Sequence, residues 1–228
     1  MRLRVLVYNV HGFRAGTDRV ARVVSRWRPD VVLLNESGGR LRLRRFARTV
    51  GMEVAADPWS PLRRRVKNAV VVRDPWTVID HRLHRFAGGP ILSPRGALVA
   101  TIGSGRDRVT AVAAHLGLHP VERRRHAEEL VGVLEDVRSP VILGGDLNER
   151  PDGRAASLLA NRWRDVWLLG GDAAGETFPV AQATARIDYL FVSDGVGVEG
   201  ATVPGDDDAR AASDHRPLVA ELTLPGHG

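Results

Sequence analysis

Short apolar runs rich in β-branched residues recur along the chain, and a polar group follows most of them. Runs of this length and composition are typical of buried strands rather than of helices. We therefore predict strands at the following segments: Leu3 to Val10, Val31 to Leu34, Ala69 to Val72, Ala97 to Ile102, Val109 to Ala114, Val141 to Leu143, Leu190 to Val192 and Leu218 to Leu224.

Between these runs, apolar residues recur with the spacing of a helix. Val20, Val23, Val24 and Trp27 follow an i, i+3, i+4, i+7 pattern, which indicates one buried helical face. The same reasoning predicts helices at Asp18 to Trp27, Leu41 to Val50, Glu122 to Val137 and Ala155 to Ala160. The segment Gly205 to Ala212, with three successive aspartates, is predicted to be a surface loop. No linker or repeat divides the chain, so we predict one α/β domain over residues 1–225.

Composition narrows the class of protein further. The 228 residues are 43% hydrophobic, which is enough for a sizeable core, and none of them is cysteine. The lack of cysteine excludes disulfides, thiol catalysis and thiolate metal sites. Because there is no apolar run of about 20 residues and no export signal, we predict a cytoplasmic protein without a membrane anchor. Nothing in the pattern suggests a coiled coil, and we expect a monomer.

Positive charge comes almost entirely from arginine. The chain has 33 basic and 27 acidic residues, a net charge of +6, and Lys67 is its only lysine. Arginine suits phosphate because its planar fork donates two hydrogen bonds at once. The cluster Arg40 to Arg48 and the run Arg63 to Lys67 therefore have two interpretations: they contact a phosphate backbone, or they are solvated surface in an arginine-rich composition.

Polar residues at the ends of the predicted strands are the main functional signal. A single one of them is most often a turn former. Together they form a set of oxygen donors with two histidines, and strands of one sheet bring such residues to a common edge. The set is Asn9, Glu36, His115, Asp146, Asn148, Asp188, Asp214 and His215.

These residue types fit a hard divalent cation and a base. Mg²⁺ prefers oxygen ligands and is usually bound by one or two carboxylates with substrate phosphate. Asn9, Glu36 and Asp214 meet that demand. A carboxylate inside an apolar strand, such as Asp188, needs a partner. If His215 is that partner, it would be oriented to take a proton from water.

At these positions the chain resembles the endonuclease/exonuclease/phosphatase superfamily of metal-dependent phosphoesterases, which includes deoxyribonucleases, abasic-site endonucleases and sphingomyelinases. The resemblance runs through nearly the whole chain, in the expected order. It rests on these motifs: Tyr8-Asn9-Val10, Asn35-Glu36, Asn68-Ala69-Val70, Ala114-His115-Leu116, Gly145-Asp146-Leu147-Asn148, Thr177-Phe178, Arg186-Ile187-Asp188-Tyr189 and Ser213-Asp214-His215.

The resemblance implies a four-layer α/β sandwich, with two packed mixed sheets flanked by helices. It also implies Mg²⁺ or Mn²⁺ bound by Asn9, Glu36 and Asp214. A second cation, where present, would involve Asp146, Asn148 and His215.

The reaction implied is hydrolysis of a phosphoester by in-line attack of water. His215, held by Asp188, would activate or orient the water, and Asp146 would help to position it. His115 and Asn148 would bind the non-bridging phosphate oxygens, and His115 could also assist the leaving group. Arg95 is a weaker candidate for a phosphate contact.

The chain departs from the family pattern in two respects. Asn35 stands where the family usually has glutamine, a change that should affect the packing behind the metal more than ligation itself. The chain is also short, and it lacks the tyrosine that abasic-site enzymes usually carry a few residues before the position of His115.

Three functions remain open at this stage. The first is a nuclease acting on DNA or RNA, which the basic charge balance favours. The second is a phosphatase or phosphodiesterase acting on a phospholipid headgroup, an inositol phosphate or a small nucleotide. The third is an inactive phosphate-binding protein, although a binding protein would not need the complete set of eight residues.

Overall fold

The computed structural model describes residues 1–58, 64–88 and 93–225, and contains twelve strands and six α-helices in these ranges. The strands are β1 Arg2–Asn9, β2 Val31–Asn35, β3 Glu53–Ala56, β4 Ala69–Val72, β5 Thr77–Arg85, β6 Gly96–Ser104, β7 Asp107–His115, β8 Val141–Asp146, β9 Arg164–Asp165, β10 Asp188–Val192, β11 Gly197–Thr202 and β12 Leu218–Thr223. The helices are α1 Thr17–Trp27, α2 Arg40–Val50, α3 Pro120–Val133, α4 Arg154–Ala160, α5 Val166–Gly170 and α6 Asp207–Ala212. Within the described ranges, no helix is both long and apolar enough to cross a membrane.

The strands form two sheets of six. The first sheet has the spatial order β11-β12-β1-β2-β4-β3, and the second has the order β5-β6-β7-β8-β10-β9. Each sheet contains one central parallel pair, β1 with β2 and β7 with β8, while the remaining pairs are antiparallel. Both sheets are therefore mixed, as predicted.

Alternation along β1 shows how the layers are built. Leu3, Val5 and Val7 lie in the core between the two sheets. Leu6 and Tyr8 point the other way, into a core shared with α1 and α2. This follows from the two-residue period of a strand, which sends neighbouring side chains to opposite faces. A third core packs the second sheet against α3 and α4, so the predicted four-layer α/β sandwich is confirmed.

The two sheets approach each other closely at the end of β8. A Cβ atom on Gly144 would lie 2.6 Å from Cγ2 of Val7 in the opposite sheet. Gly145 has a φ of 148°, and a Cβ there would lie 1.8 Å from the Ala114 carbonyl oxygen. Only glycine fits such positions, so this pair allows the strand ends of the two sheets to meet.

Two predicted elements differ from the structure, one in its ends and one in its type. The helix predicted at Glu122 to Val137 begins at Pro120 and ends at Val133. It ends early because the chain then tightens into three-residue turns, in which Glu135 N–H donates to Gly132 O and Val137 N–H donates to Leu134 O. The loop predicted at Gly205 to Ala212 contains α6, because the Asp206 carboxylate accepts from Ala209 N–H at 3.0 Å and caps the helix.

Candidate active site

The polar strand ends of both sheets meet at one junction. Asn9 at the end of β1 is in register with Asn35 on β2. In the second sheet, Asp146 is paired in register with His115 on one side and with Asp188 on the other. The Asn9 side-chain amide donates to Oδ2 of Asp146 at 2.9 Å and joins the two sheets. We call Asn9, His115, Asp146, Asp188 and His215 the acidic centre.

His215 and Asp188 form a buried pair within the acidic centre. Nδ1 of His215 lies 2.8 Å from Oδ2 of Asp188, and both residues are at least 95% buried. We assign the proton to Nδ1, because a carboxylate accepts and does not donate. This leaves Nε2 facing Asp146, whose Oδ2 is 3.8 Å away. The ring of Phe178 packs on the imidazole, with ring centroids 4.8 Å apart.

Charges around His215 favour its protonated form. Burial lowers the pKa of His215, but attraction to Asp188, the hydrogen bond that His215 donates to Asp188, and the nearby Asp146 and Asp214 outweigh burial and raise the pKa to about 9. Without a bound metal, the imidazole of His215 is therefore protonated on both nitrogens at neutral pH.

Asp146 is the most highly connected acid of the centre. Its Oδ1 accepts from the Asn148 backbone N–H at 2.8 Å, and its Oδ2 lies 3.3 Å from Nε2 of His115. Burial raises the pKa of Asp146, but His115, His215 and the Asn148 N–H outweigh burial and hold the pKa well below its ordinary value. Asp146 is therefore an anion in a buried site.

Arg95 approaches the other side of His115. Its Nη1 lies 2.8 Å from Nδ1 and 2.7 Å from Nε2 of that ring. A guanidinium only donates, and a neutral imidazole has a single acceptor nitrogen. Arg95 can therefore donate to only one of the two ring nitrogens. We assign Nδ1 as the acceptor from Arg95 and Nε2 as the protonated nitrogen, because Nε2 faces the Asp146 carboxylate. His115 thus links Arg95 to the acidic centre.

Glu36 and Asp214 lie beside the acidic centre rather than inside it. Glu36 has a φ of 49°, a left-handed conformation that is uncommon outside glycine, and its carbonyl accepts from Gly12 N–H at 2.8 Å. Oδ2 of Asp214 lies 3.3 Å from Nδ1 of His11. Asn148 also has a left-handed φ, of 52°, and its side chain donates to Leu116 O at 3.1 Å.

A cavity of about 380 Å³ opens next to Glu36. Glu36, Asn68 and His115 contribute to its wall, together with five cationic side chains, and we call it the arginine cavity. The five cations are Arg14, Arg42, Arg65, Lys67 and Arg95. Of the run Arg63 to Lys67, Arg63 lies outside the described residues and Arg64 is exposed away from the cavity lining.

The residues present fit a hard divalent cation. Ligand atoms of Asp146, Asp188 and His215 lie within 4.8 Å of one another. Oδ1 of Asp188 is buried, and no hydrogen-bond partner for it is found among residues 1–58, 64–88 and 93–225. The half-buried Glu36 carboxylate also makes no hydrogen bond or ion pair within the described part of the chain. Carboxylates with free lone pairs in an oxygen-rich set are what such a cation needs.

Several residues at the junction were not singled out by the strand-end pattern. Asn35 donates to Asn68 Oδ1 at 3.1 Å and to Ala114 O at 3.0 Å, and it accepts from Asp146 N–H at 2.9 Å. The shorter amide at this position is therefore fully used. Thr177 accepts from the Asp188 N–H at 3.3 Å, and His11 contacts Asp214. Their only sequence signal is proximity to the motifs.

Comparison with protein-family models identifies the class of protein that this fold and site define. The model of the endonuclease/exonuclease/phosphatase family matches residues 6–215, which is most of the chain. The chain belongs to this family, and the resemblance seen in the motifs is confirmed. Members of the family are divalent-metal-dependent hydrolases of phosphoester bonds.

Solved structures agree with this assignment at the level of the fold. An endonuclease/exonuclease/phosphatase from Bacteroides vulgatus matches with a TM-score of 0.86 and 17% identity, over 98% of this chain and 99% of that one. D. rerio TDP2 complexed with a single-strand DNA product gives 0.81 and 18%, over 98% and 99%. A mannosyl-6-phosphatase from Bacteroides thetaiotaomicron gives 0.79 and 18%, over 97% and 100%. A search of curated proteins found no match.

Proposed function

We propose that this phosphoesterase is a metal-dependent phosphodiester hydrolase that cleaves DNA or RNA by in-line attack of water. The observation that carries the proposal is the buried His215–Asp188 pair beside the ionised Asp146, at a junction that adjoins the arginine cavity. An acid-rich site next to a cation-lined cavity suits a metal on one side and a phosphate on the other.

Asn9, Glu36 and Asp214 would hold Mg²⁺ or Mn²⁺, and Asp146, Asn148 and His215 would contribute to a second cation. When bound, the cation would neutralise phosphate charge, polarise a phosphoryl oxygen and favour loss of the proton from His215. The unpartnered Oδ1 of Asp188 and the Glu36 carboxylate, for which the described residues provide no hydrogen bond or ion pair, support this assignment.

The chain's own residues orient the water. Asp188 holds Nδ1–H of His215, so Nε2 is the nitrogen that can exchange a proton with a water in the junction. Asp146 faces the same nitrogen and, as an anion, accepts a hydrogen bond from that water. Water, His215 and Asp146 would thus be aligned before the substrate arrives, which is the main requirement for in-line attack.

Three residues would bind the phosphate. His115 directs its protonated Nε2 into the junction, Asn148 stands half-buried beside Asp146, and Arg95 has a buried Nε without a partner in the described residues. Donors aimed at non-bridging oxygens stabilise the charge that develops there. His115 is also placed to donate a proton to the leaving group.

Nucleic acid is the substrate class that charge favours. The net charge is +6, and five cations line the arginine cavity against one carboxylate, Glu36. Phosphate neutralisation by Arg and Lys supplies most of the sequence-independent affinity for nucleic acid. The similar fold of TDP2, solved with a single-strand DNA product, is in keeping with this class.

The test is turnover of plasmid DNA, RNA and bis(p-nitrophenyl) phosphate in Mg²⁺, in Mn²⁺ and in EDTA. We expect metal-dependent cleavage of nucleic acid and slower cleavage of the small diester, both lost in Asp188→Asn and retained in the exposed control Asp152→Asn. If the protein cleaves only bis(p-nitrophenyl) phosphate, its substrate is a small phosphoester and not nucleic acid. Full activity in EDTA would falsify the metal site.

A further inference from the structure

The arginine cavity has more positive charge than one phosphate requires. Its cations come from separate parts of the chain: Arg14 follows β1, Arg42 lies on α2, Arg65 and Lys67 precede β4, and Arg95 precedes β6. Only one carboxylate, Glu36, lines the cavity with them. Clustered cations repel one another, so a set of this composition requires an anion to balance it.

Arg65 is the least satisfied of these cations. Its Nη1 donates to Gly38 O at 2.9 Å, which fixes the guanidinium against the loop after β2. Its Nε and Nη2 atoms are buried, and neither has a hydrogen-bond partner in the described ranges. Burial, and then the neighbouring Arg40, lower the pKa of Arg65, and attraction to Asp57 offsets them only in part.

The two unpaired nitrogen atoms of Arg65 are positioned to donate side by side. Nε–H and Nη2–H lie on one edge of the planar guanidinium, and that edge can donate in parallel to two oxygens of one phosphate. Buried donors without an acceptor are unfavourable. An oxyanion that reaches this edge of Arg65 from the cavity would supply the acceptors that the described residues lack.

The cavity also has a fixed relation to the acidic centre. Arg95 is 92% buried, contacts His115 through Nη1 and lines the cavity. His115 in turn lies 3.3 Å from Asp146. Arg95 and His115, two of the three side chains assigned to the phosphate that is hydrolysed, therefore connect the cavity to Asp146.

We propose that the arginine cavity is a subsite for a second phosphate of the substrate, adjacent to the phosphate that is cleaved, and that Arg65 is its principal contact. The proposal rests on the proposed function and deepens it. The chain would prefer substrates with two phosphates in sequence. The second phosphate could be the next diester of a nucleic-acid backbone or a terminal phosphomonoester.

Three types of short ligand separate these sources. They are a thymidine dinucleotide with one phosphate, the same dinucleotide carrying a phosphate on its 5′ or its 3′ end, and the trinucleotide with two diesters. We expect the wild type with Mg²⁺ to show a kcat/KM about tenfold or more higher for the two-phosphate ligands, the effect of one bidentate charged contact. A preference for the trinucleotide points to a backbone phosphate, and a preference for an end-phosphorylated dinucleotide alone points to a terminal one.

Arg65→Ala should bring that preference to within about twofold, the limit at which one contact no longer matters. Arg64→Ala is the matched control, because Arg64 is the adjacent arginine, is exposed and does not line the cavity; it should keep the full preference. If Arg65→Ala melts at a lower temperature than the wild type, a second variant, Lys67→Ala, replaces it in the test. Lys67 is exposed and lines the cavity, so this variant should lose part of the preference and keep the fold.

Failure of the subsite and failure of the proposed function can be told apart. If the wild type cleaves none of these ligands, the proposed function is wrong, and calorimetric titration with the same uncleaved ligands measures the subsite directly. Tighter binding of two-phosphate ligands that Arg65→Ala removes would still support the subsite. Equal values for all ligands in the wild type, or a preference that survives in both Arg65→Ala and Lys67→Ala, would overturn it.

Discussion

The acidic centre and the arginine cavity lie side by side but pair their charges in opposite ways. In the acidic centre, Asp146 and Asp188 are held by histidines, an asparagine and a backbone N–H. In the arginine cavity, donors of Arg65 and Arg95 stay unpaired within the described chain. Hydrogen bonds within the protein already order most of the centre, whereas the proposed subsite would be completed by an anion. We infer that the centre governs the chemical step and that the cavity governs which substrate reaches it.

Loss of the His215–Asp188 pair should have the largest effect. Either Asp188→Asn or His215→Ala should lower kcat by about two to four decades, the range for loss of a general base. The double variant should be little worse than the worse single one, because residues that act as a unit are non-additive. Single-turnover rates for the four proteins measure this, and multiplicative losses would show that the two residues act separately.

The acidic centre could be predicted because its residues lie in short motifs at the ends of apolar runs. Asp146 follows such a run, Asp188 lies within one and His215 precedes one, and the register of β8 and β10 pairs Asp146 with Asp188. The arginine cavity could not be predicted in this way. Its cations come from loops and one helix face, and the sequence alone did not distinguish Arg65, which lines the cavity, from Arg64, which does not.

The same limit applies to parts of the fold. Central strands were predicted well because both of their faces are buried. The edge strand β5 is largely exposed and carries Asp80, His81 and Arg82, so it lacks the apolar run by which the buried strands were predicted. The helix α6 was predicted as a loop because its three aspartates are typical of loops. In the structure Asp206 caps the helix, and Asp207 and Asp208 lie in its first turn.

Glu36 borders both regions, so its replacement should affect the metal more than the fold. Glu36→Gln removes one anionic ligand from the proposed metal site and leaves the side-chain volume nearly unchanged. We expect the Mg²⁺ concentration for half-maximal activity to rise about tenfold or more, a change of about 1.4 kcal/mol. A metal titration of the rate measures this. An unchanged midpoint, with the control Asp152→Asn behaving like the wild type, would remove Glu36 from the metal site.

Asn35 accepts a hydrogen bond from the backbone N–H of Asp146 and so supports the acidic centre. We expect its replacement to lower the free energy of unfolding. Asn35→Ala would leave the Asp146 N–H, Asn68 Oδ1 and Ala114 O without their present partner. Unsatisfied buried polar groups cost about 1–3 kcal/mol each, so we expect the free energy of unfolding to fall by at least that range. Urea denaturation tests this, and Asn35→Gln should recover part of the loss. A fully stable Asn35→Ala would mean that water replaces the amide.

The raised pKa of His215 predicts a smaller, pH-dependent change in the free energy of unfolding of the metal-free protein. The folded pKa of about 9 lies above the ordinary value of 6.5, so protonated His215 stabilises the fold fully below pH 6.5. This contribution should be lost as the pH rises from 6.5 through 9. Urea midpoints measured in EDTA across that window should fall for the wild type and for Asp152→Asn, and should change less in Asp188→Asn. Identical profiles for all three proteins would contradict the pairing.

The division of roles between the two regions is tested most directly by one comparison of kcat/KM. Asp188→Asn, Arg65→Ala and Arg64→Ala are assayed in Mg²⁺ on plasmid DNA and on bis(p-nitrophenyl) phosphate, which has a single phosphate. We predict that Asp188→Asn loses both activities to a similar degree, that Arg65→Ala loses far more on DNA than on the small diester, and that Arg64→Ala loses neither. Equal losses of Arg65→Ala on the two substrates, or an Asp188→Asn variant that keeps near wild-type kcat/KM on either one, would contradict the account.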